Sequence, residues 1–454
     1  MSLRTALEER GMDSVLSIAR QAGQAAEDSL KRDLRGLDWP MLDRQRRALD
    51  AREPKPSGTI CPPSLVPAST SGDAQNAEAA EAGWAALRAG RVAIATVAGG
   101  QASRLGFHGP KGAYPLGPVS GASLFQMMAG QIARLRQMSG ARLPWIIQTG
   151  PGNHTETVRY FEKRSYFGLG ESNVMFACQG TLPALSPEGQ FLLSSPGSLF
   201  RNPDGHGGFY RALRAAGIPD DLRAQGVDTV FYCQVDNPLV RMGDPIFLGH
   251  HLLGEARMSV KVVAKSDPHE KVGLIITRED GRLGCIEYSD LADELATARE
   301  ADGQLRYRAG NIALHAFDLR FLEEMAEAAL PLHLAKKDIT ALRGSSPEPV
   351  AQPGIKFETF VFDALPLADR AMVQLAERAE EFAPVKNASG SDSVATSREA
   401  LNQRSRQWAE AAKLSVAMTD PVEIQPGLCY DMGDFVAQAP ALRVAAGGHL
   451  ITSD

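Results

Sequence analysis

The residue pattern predicts an α/β protein built on a mostly parallel, doubly wound sheet, with helical N-terminal and small C-terminal units. Three observations carry this. From about residue 77 helix-period and strand-like stretches alternate, the order expected of a parallel sheet covered on both faces. Two strand-like stretches, Val92–Val97 and Val227–Val235, are nearly continuous apolar runs, as strands buried on both faces require. The first of them runs directly into Gly99 and Gly100 at what would be the carboxyl edge of the sheet, where open α/β folds bind ligands.

Taken in order, residues 1 to about 50 place Leu3 and Leu7, Val15 and Ile18, then Leu30, Leu34 and Leu37 at helical spacing among charges, which predicts a polar, two-sided lid or brace. The Pro-, Ser- and Gly-rich stretch Pro54 to Asn76 predicts a surface connection and a boundary near residue 80. A helix over Ala79 to Arg88, ended by Gly90, precedes the first strand. Ser123 with Gln126 three residues on is a capping-box signature, and the helix it opens aligns Phe125, Met128, Ile132 and Leu135 on one face. Leu143–Gln148 and Asn173–Cys178 read as strands. A helix opening near His206 buries Phe209 and Leu213 and stops at Gly217. Asp244 followed by Pro245 starts another with cap and first-turn residues in their favoured order. Val260–Ala264, Val272–Thr277 and Asn311–Phe317 follow as strands, and Asp318 to Ala328 as a helix, while Lys356 to Asp363 fits either period. A short helical stretch from about 390 and a Gly- and Ala-rich tail suggest a third unit. The expected divisions are 1–80, 81–388 and 389–454, matching the ~3 domains that 454 residues allow.

Charge narrows the ligands. Forty-eight Lys and Arg against 54 Asp and Glu leave a net charge of -6, so there is no general basic field to hold nucleic acid or an anionic membrane, and a polyanion must be bound locally. The five cysteines lack zinc or redox spacings, no apolar run reaches ~18 residues, and the first residues lack a signal-peptide core. The expectation is a cytoplasmic protein with no nucleic-acid or membrane partner; the sequence leaves the oligomeric state open, with a monomer favoured.

The most informative string is Ala98-Gly99-Gly100-Gln101-Ala102-Ser103-Arg104-Leu105-Gly106, followed by Pro110-Lys111-Gly112. Adjacent glycines after a buried strand let backbone amides approach phosphate oxygens, and Arg104 and Lys111 add two fixed positive charges. The spacing is neither that of the dinucleotide fingerprint nor that of the P-loop. Asp236 ends the second apolar strand, so it too belongs at the carboxyl edge; an Asp there is as readily a turn or helix cap as a metal ligand.

The glycine string resembles the signature of the eukaryotic-type uridylyltransferases, most closely the UDP-N-acetylhexosamine pyrophosphorylases, whose loop reads A-G-G-Q-G-T-R-L-G followed by P-K-G. The resemblance extends, in order, through Gln179-Gly180-Thr181-Leu182-Pro183-Ala184, the run Pro203 to Leu213, Val235-Asp236-Asn237, Glu287-Tyr288-Ser289, Gly310-Asn311-Ile312-Ala313, Gly354-Ile355-Lys356, Phe360-Val361-Phe362-Asp363 and Pro384-Val385-Lys386-Asn387. It implies a nucleotidyltransferase sheet of Rossmann-like, glycosyltransferase-A-like type. The implied reaction joins UTP and a sugar 1-phosphate, foremost N-acetylglucosamine 1-phosphate, to give UDP-sugar and pyrophosphate. No covalent protein nucleophile is needed, because the sugar phosphate is one; cancelling anionic repulsion is. The resemblance implies Arg104, Lys111 and Lys386 as the catalytic cations and Asp236 as the ligand of a single Mg²⁺. It implies Ala98, Gly99, Gly100, Gln179, Leu182, Pro183 and Gly205 at the nucleotide, and His206, Gly207, Asn237, Glu287, Asn311, Phe360 and Phe362 at the sugar.

Two positions depart from the family pattern. Ala102 stands where the family usually has Gly, which a methyl tolerates if φ is negative. His206 replaces the usual Asn; the G-H-G form resembles the UDP-glucose pyrophosphorylases, whose next residue is Asp rather than Gly207. Transfer to glucose 1-phosphate or to a broad set of sugars therefore stands as the alternative, and a non-catalytic UDP-sugar sensor as the alternative of another class. The presence of all four charged groups favours an enzyme. The pair His250-His251 reads as structural.

Overall fold

The computed structural model describes residues 2–50, 59–70, 72–342, 348–419, 421–445 and 447–453. Pro54 and Pro56 of the expected connection lie outside the described residues. The chain divides into two compact units, each made of three segments. One comprises Met1–Ser57, Gln179–Gly208 and Ala329–Asp363; the other comprises Gly58–Cys178, Phe209–Ala328 and Ala364–Asp454. This differs from the three consecutive stretches read from sequence, because packing partners far apart in the chain decide it.

The larger unit is an α/β structure on a nine-stranded sheet. Its strands are β1 (Val92–Val97), β2 (Trp145–Thr149), β3 (Val174–Cys178), β4 (Thr229–Gln234), β5 (Met258–Ala264), β6 (Leu274–Thr277), β7 (Leu283–Ile286), β8 (Ala309–Asp318) and β9 (Ala371–Ala376). Their order is β7-β6-β8-β4-β1-β2-β3, with β5 pairing with both β8 and β9. The sheet is mixed, and only β7 and β8 run against the others. Val92–Val97 is flanked in parallel register by Thr229–Gln234 on one side and, from Ile94, by Trp145–Gln148 on the other. Its first five residues are fully buried, as the apolar run required. The chain leaves β1 for β2 and β3 on one side, then returns to β4 on the other. The strand order thus reverses between β1 and β4, the topological switch point that opens a crevice at the carboxyl ends.

The helix Leu124–Ser139 is capped by Ser123, whose Oγ accepts from the Gln126 amide at 3.1 Å, and it buries Phe125, Met128, Ile132 and Leu135. The stretch expected to be short after residue 390 is an 18-residue helix, Val394–Ala411. Its Leu401 joins the main core, and Trp408 and Ala409 join Val422, Leu428, Phe435 and Ile451 in a small cluster beside a three-stranded sheet. Glu423 of that sheet binds back to the loop after Lys111: Oε2 accepts from the Val119 and Ser120 amides at 2.7 and 2.8 Å, and Oε1 from Ser120 Oγ at 2.6 Å.

The smaller unit contains the helices Leu3–Glu8, Ser14–Gln21, Gln24–Arg35 and Trp39–Asp50. The segment read as a two-sided brace has a core face. Leu7, Leu30, Leu34 and Leu42 are wholly buried and share one cluster with Leu182, Phe191, Leu199, Ile355 and Phe357. A long antiparallel hairpin, His333–Leu342 with Pro349–Glu358, completes the unit. The ambiguous stretch Lys356 to Asp363 is both things: strand as far as Glu358, then a 3-10 helix from Val361. Among the described residues no helix is long and apolar enough to cross a membrane.

Candidate active site

The switch point gathers the first group of expected residues within the sheet unit. The Val235 amide bonds the Val97 carbonyl at 3.0 Å, which sets the Gly-rich loop and Asp236 side by side. Asn153, 1% exposed, pins the loop: its Nδ2 donates to the Ala98 and Gly100 carbonyls at 2.8 and 3.1 Å, and its Oδ1 accepts from the Gly150 amide at 2.9 Å. A Cβ at Gly100 would meet no protein atom within 4 Å and its φ is not left-handed, so the fold leaves open space above the loop, as an approaching ligand requires. Ala102 has φ −91° and is buried, so its methyl is accommodated as the negative-φ condition demanded.

Lys111 turns back to the same edge. Its amide bonds the Gly100 carbonyl at 3.1 Å, and its Nζ lies 3.1 Å from Asp236 Oδ2. Asp236 is 9% exposed, and among the described residues its Oδ1 has no hydrogen-bond donor. Arg104 is exposed and forms no ion pair with the described residues. Lys386 follows Val385, whose amide donates to the Asp236 carbonyl at 2.8 Å; its own Nζ lies 3.9 Å from Asp392 Oδ2. Among the described residues no cluster of three or more His, Cys, Asp or Glu could cage a metal. One carboxylate beside fixed cations is nonetheless a donor set that fits Mg²⁺, which takes one or two carboxylates, phosphate oxygens and retained waters.

Asn237 has a different job from the sugar contact expected of it. It is 3% exposed, with Nδ2 donating to the Glu381 carbonyl at 2.7 Å and Oδ1 accepting from the Leu239 and Ala383 amides at 3.3 and 3.1 Å. Its amide is spent on ordering the chain that leads to Lys386. Glu287 and Asn311 are brought together about Gly273. The Asn311 amide bonds the Gly273 carbonyl at 2.7 Å, and Glu287 Oε1 lies 3.3 Å from where a Gly273 Cβ would stand.

The second group lies within the smaller unit. Gln179 Nε2 donates to Asp204 Oδ1 at 3.1 Å and to the Gly205 carbonyl at 2.9 Å. Leu182 and Pro183 form a short strand paired with Arg201–Pro203, and the Leu182 side chain is in the unit's core. Gly205 has φ +83°, and a Cβ on it would lie 2.3 Å from the Thr359 carbonyl oxygen, so only glycine serves there. His206 stacks on Phe360 (centroids 4.9 Å apart, planes at 11°), with Phe362 tilted beside it at 5.5 Å. Its Nδ1 accepts from the Val361 amide at 3.0 Å, which leaves Nε2 as the protonated donor. Burial, aided by nearby His333, depresses its pKa to about 4, so the ring is neutral at physiological pH. His333 also stacks on Phe360, at 4.1 Å, and its Nε2 lies 2.9 Å from Asp363 Oδ2. Sequence reasoning missed Asn153 and His333. The Gly150-Pro151-Gly152-Asn153 turn after β2 was a legible signal for the first; nothing local marked the second.

A glycine loop and a single carboxylate meeting at a switch point, with lysines beside them, are the parts of a site suited to the phosphates of a nucleotide. The chain belongs to the family described as UTP–glucose-1-phosphate uridylyltransferase, whose model matches residues 64–427, and it is thus an enzyme of the nucleotidyltransferase class. Among its relatives it is similar to UDP-N-acetylglucosamine diphosphorylase 2 of Arabidopsis thaliana, with 34% identity covering 94% of this chain and 89% of that one. It is 39% identical to the UDP-N-acetylglucosamine pyrophosphorylase of Saccharomyces cerevisiae over 77% of this chain and 76% of that one. In structure it resembles the Trypanosoma brucei uridine diphosphate N-acetylglucosamine pyrophosphorylase solved with an inhibitor, with TM-score 0.83 and 26% identity, covering 100% of this chain and 99% of that one.

Proposed function

We propose that this enzyme transfers the uridylyl group of UTP to N-acetylglucosamine 1-phosphate, giving UDP-N-acetylglucosamine and pyrophosphate. The observation that carries the reading is the Lys111–Asp236 pair, 3.1 Å apart, beside the open Gly99-Gly100 loop. A phosphate oxygen of the sugar attacks the α-phosphorus and pyrophosphate departs, so the barrier is chiefly repulsion between anions. Backbone amides of Gly99 and Gly100 take phosphate oxygens. Arg104, Lys111 and Lys386 neutralise the charge that gathers on the transferring phosphate and the leaving group. Asp236 is the residue that would hold Mg²⁺, whose chemistry is to draw charge from phosphoryl oxygens. In the smaller unit Gln179, Leu182, Pro183 and Gly205 are assigned to the nucleotide, and His206, with Phe360 and Phe362 beside it, to the sugar; in the larger unit Glu287 and Asn311 are assigned to the sugar. The sheet is read as a Rossmann-like nucleotidyltransferase, and the setting as cytoplasmic.

The second reading, glucose 1-phosphate as acceptor, is favoured by His206. Gly207 counts against it: a Cβ there would stand 2.7 Å from both Phe360 N and Thr359 C, so the aspartate of the glucose-type motif would not fit without moving that backbone. Pyrophosphate release from UTP with N-acetylglucosamine, N-acetylgalactosamine and glucose 1-phosphates decides between them. The expected order puts N-acetylglucosamine first; preference for glucose 1-phosphate would establish the second reading instead.

A further inference from the structure

Strand β5 carries a charge where an apolar residue belongs. Lys261 is 0% exposed, and its Nζ lies 2.6 Å from Asp244 Oδ2 and 2.5 Å from Glu381 Oε2, both themselves buried. Asp244 also accepts from Ser69 Oγ at 2.5 Å and has Arg241 at 3.8 Å, so two carboxylates face two cations. Burial alone would raise the Asp244 pKa; Lys261 and Arg241 outweigh it and hold it at about 2. Buried clusters of this kind add little net stability over an apolar replacement, because desolvation consumes the attraction, but they fix geometry where they sit.

Here they sit at the root of the site. The Glu381 carbonyl accepts from Asn237 Nδ2 at 2.7 Å, Ala383 N donates to Asn237 Oδ1 at 3.1 Å, and Val385 N donates to the Asp236 carbonyl at 2.8 Å. The segment that ends in Lys386 is thereby laid along the Asp236-Asn237 turn. The Asp236 carboxylate pairs with Lys111, and the backbone that carries it is tied to Val385.

We propose that Lys261 and Glu381 are positioning residues for uridylyl transfer, anchoring residues 381–386 to the sheet so that Asp236 and Lys386 are held in one geometry. The inference rests on the reading of those two residues given above. Its test compares the full-length Glu381→Gln variant with the Lys261→Met/Glu381→Gln double variant, which leaves Asp244 facing Arg241 and so keeps the buried charge balanced. Loss of supporting contacts of this kind lowers kcat by ~10–100-fold with KM for either substrate changed by less than about threefold. Amide hydrogen exchange of the ligand-free, metal-free protein should speed up within residues 381–387 while β1 and β4 keep native protection. Native kcat with native exchange in 381–387 overturns the proposal. So does faster exchange throughout the sheet, which would mark a general stability role. Native turnover in Asp236→Ala would overturn the reading of the site itself, and the positioning role with it.

Discussion

Gly112→Ala asks whether the turn presenting Lys111 is set by the aromatic core beneath it. A methyl built at Gly112 would lie 2.2 Å from Phe125 Cε2, 2.3 Å from Cζ and 2.5 Å from Cδ2. Carbon atoms rest about 3.5–4.0 Å apart, so more than ~1 Å of clearance must be found. Phe125 has nowhere to go: it is 0% exposed, with ring centroids of Phe161 at 4.9 Å, Tyr160 at 6.1 Å and Trp145 at 6.2 Å. The turn must move instead and take Lys111 with it. Overpacking on this scale costs ~1–3 kcal/mol of stability, and a misplacement of ~1 Å at a charged group in the site costs up to ~100-fold in rate. Initial rates of pyrophosphate release, paired with urea unfolding, read both quantities. The expected variant is folded, less stable, and slower in kcat by ~10–100-fold. Native kcat together with a native unfolding midpoint would refute the reasoning, since it would mean that the ring yields freely.

Asp236→Ala should abolish turnover while titration calorimetry still detects UDP-N-acetylglucosamine binding; unchanged turnover would remove the metal assignment. Glu423→Gln replaces a carboxylate that accepts three hydrogen bonds from the loop 119–120, and loss of one such bond should lower unfolding free energy by about 1.5–3 kcal/mol in urea. His251 is 2% exposed, and burial depresses its pKa from 6.5 to about 4. Below pH 6.5 the unfolded chain takes up a proton that the native ring refuses until about pH 4. Its contribution is therefore complete above 6.5 and is lost as pH falls through that window, by up to about 3 kcal/mol. His251→Asn should flatten that part of the stability profile, and an unchanged profile would show that the native ring takes up its proton as readily as the unfolded one.

Much of the sheet unit was legible because its signals are local. Val92–Val97 is apolar throughout and bounded by Gly90 and Gly99, and the structure gives the same limits. Ser123, Asp244 and Asp318 each accept the expected amide at a helix start. The Gly-rich loop and Asp236 were placed together because each follows an apolar strand to the same edge of the sheet. What stayed hidden depends on distant partners. Residues 333–342 carry Lys336, Lys337 and Asp338 on an exposed stretch, so their strand identity comes from pairing with 349–358 and not from an apolar pattern. Asn237 and Lys261 find their partners at Glu381, more than 100 residues on. No spacing rule announces such a meeting.

The smaller unit draws on chain segments that are made far apart in time. Leu7, Leu30, Leu34 and Leu42 emerge from a ribosome about 300 residues before Ile355 and Phe357, the partners that cover them. At ~5–20 residues per second the wait is roughly 15–60 s, during which an apolar helical face is uncovered on the nascent chain. Completion of this cluster thus waits on distant synthesis, and the yield of folded protein should depend on elongation speed more than its final stability would suggest.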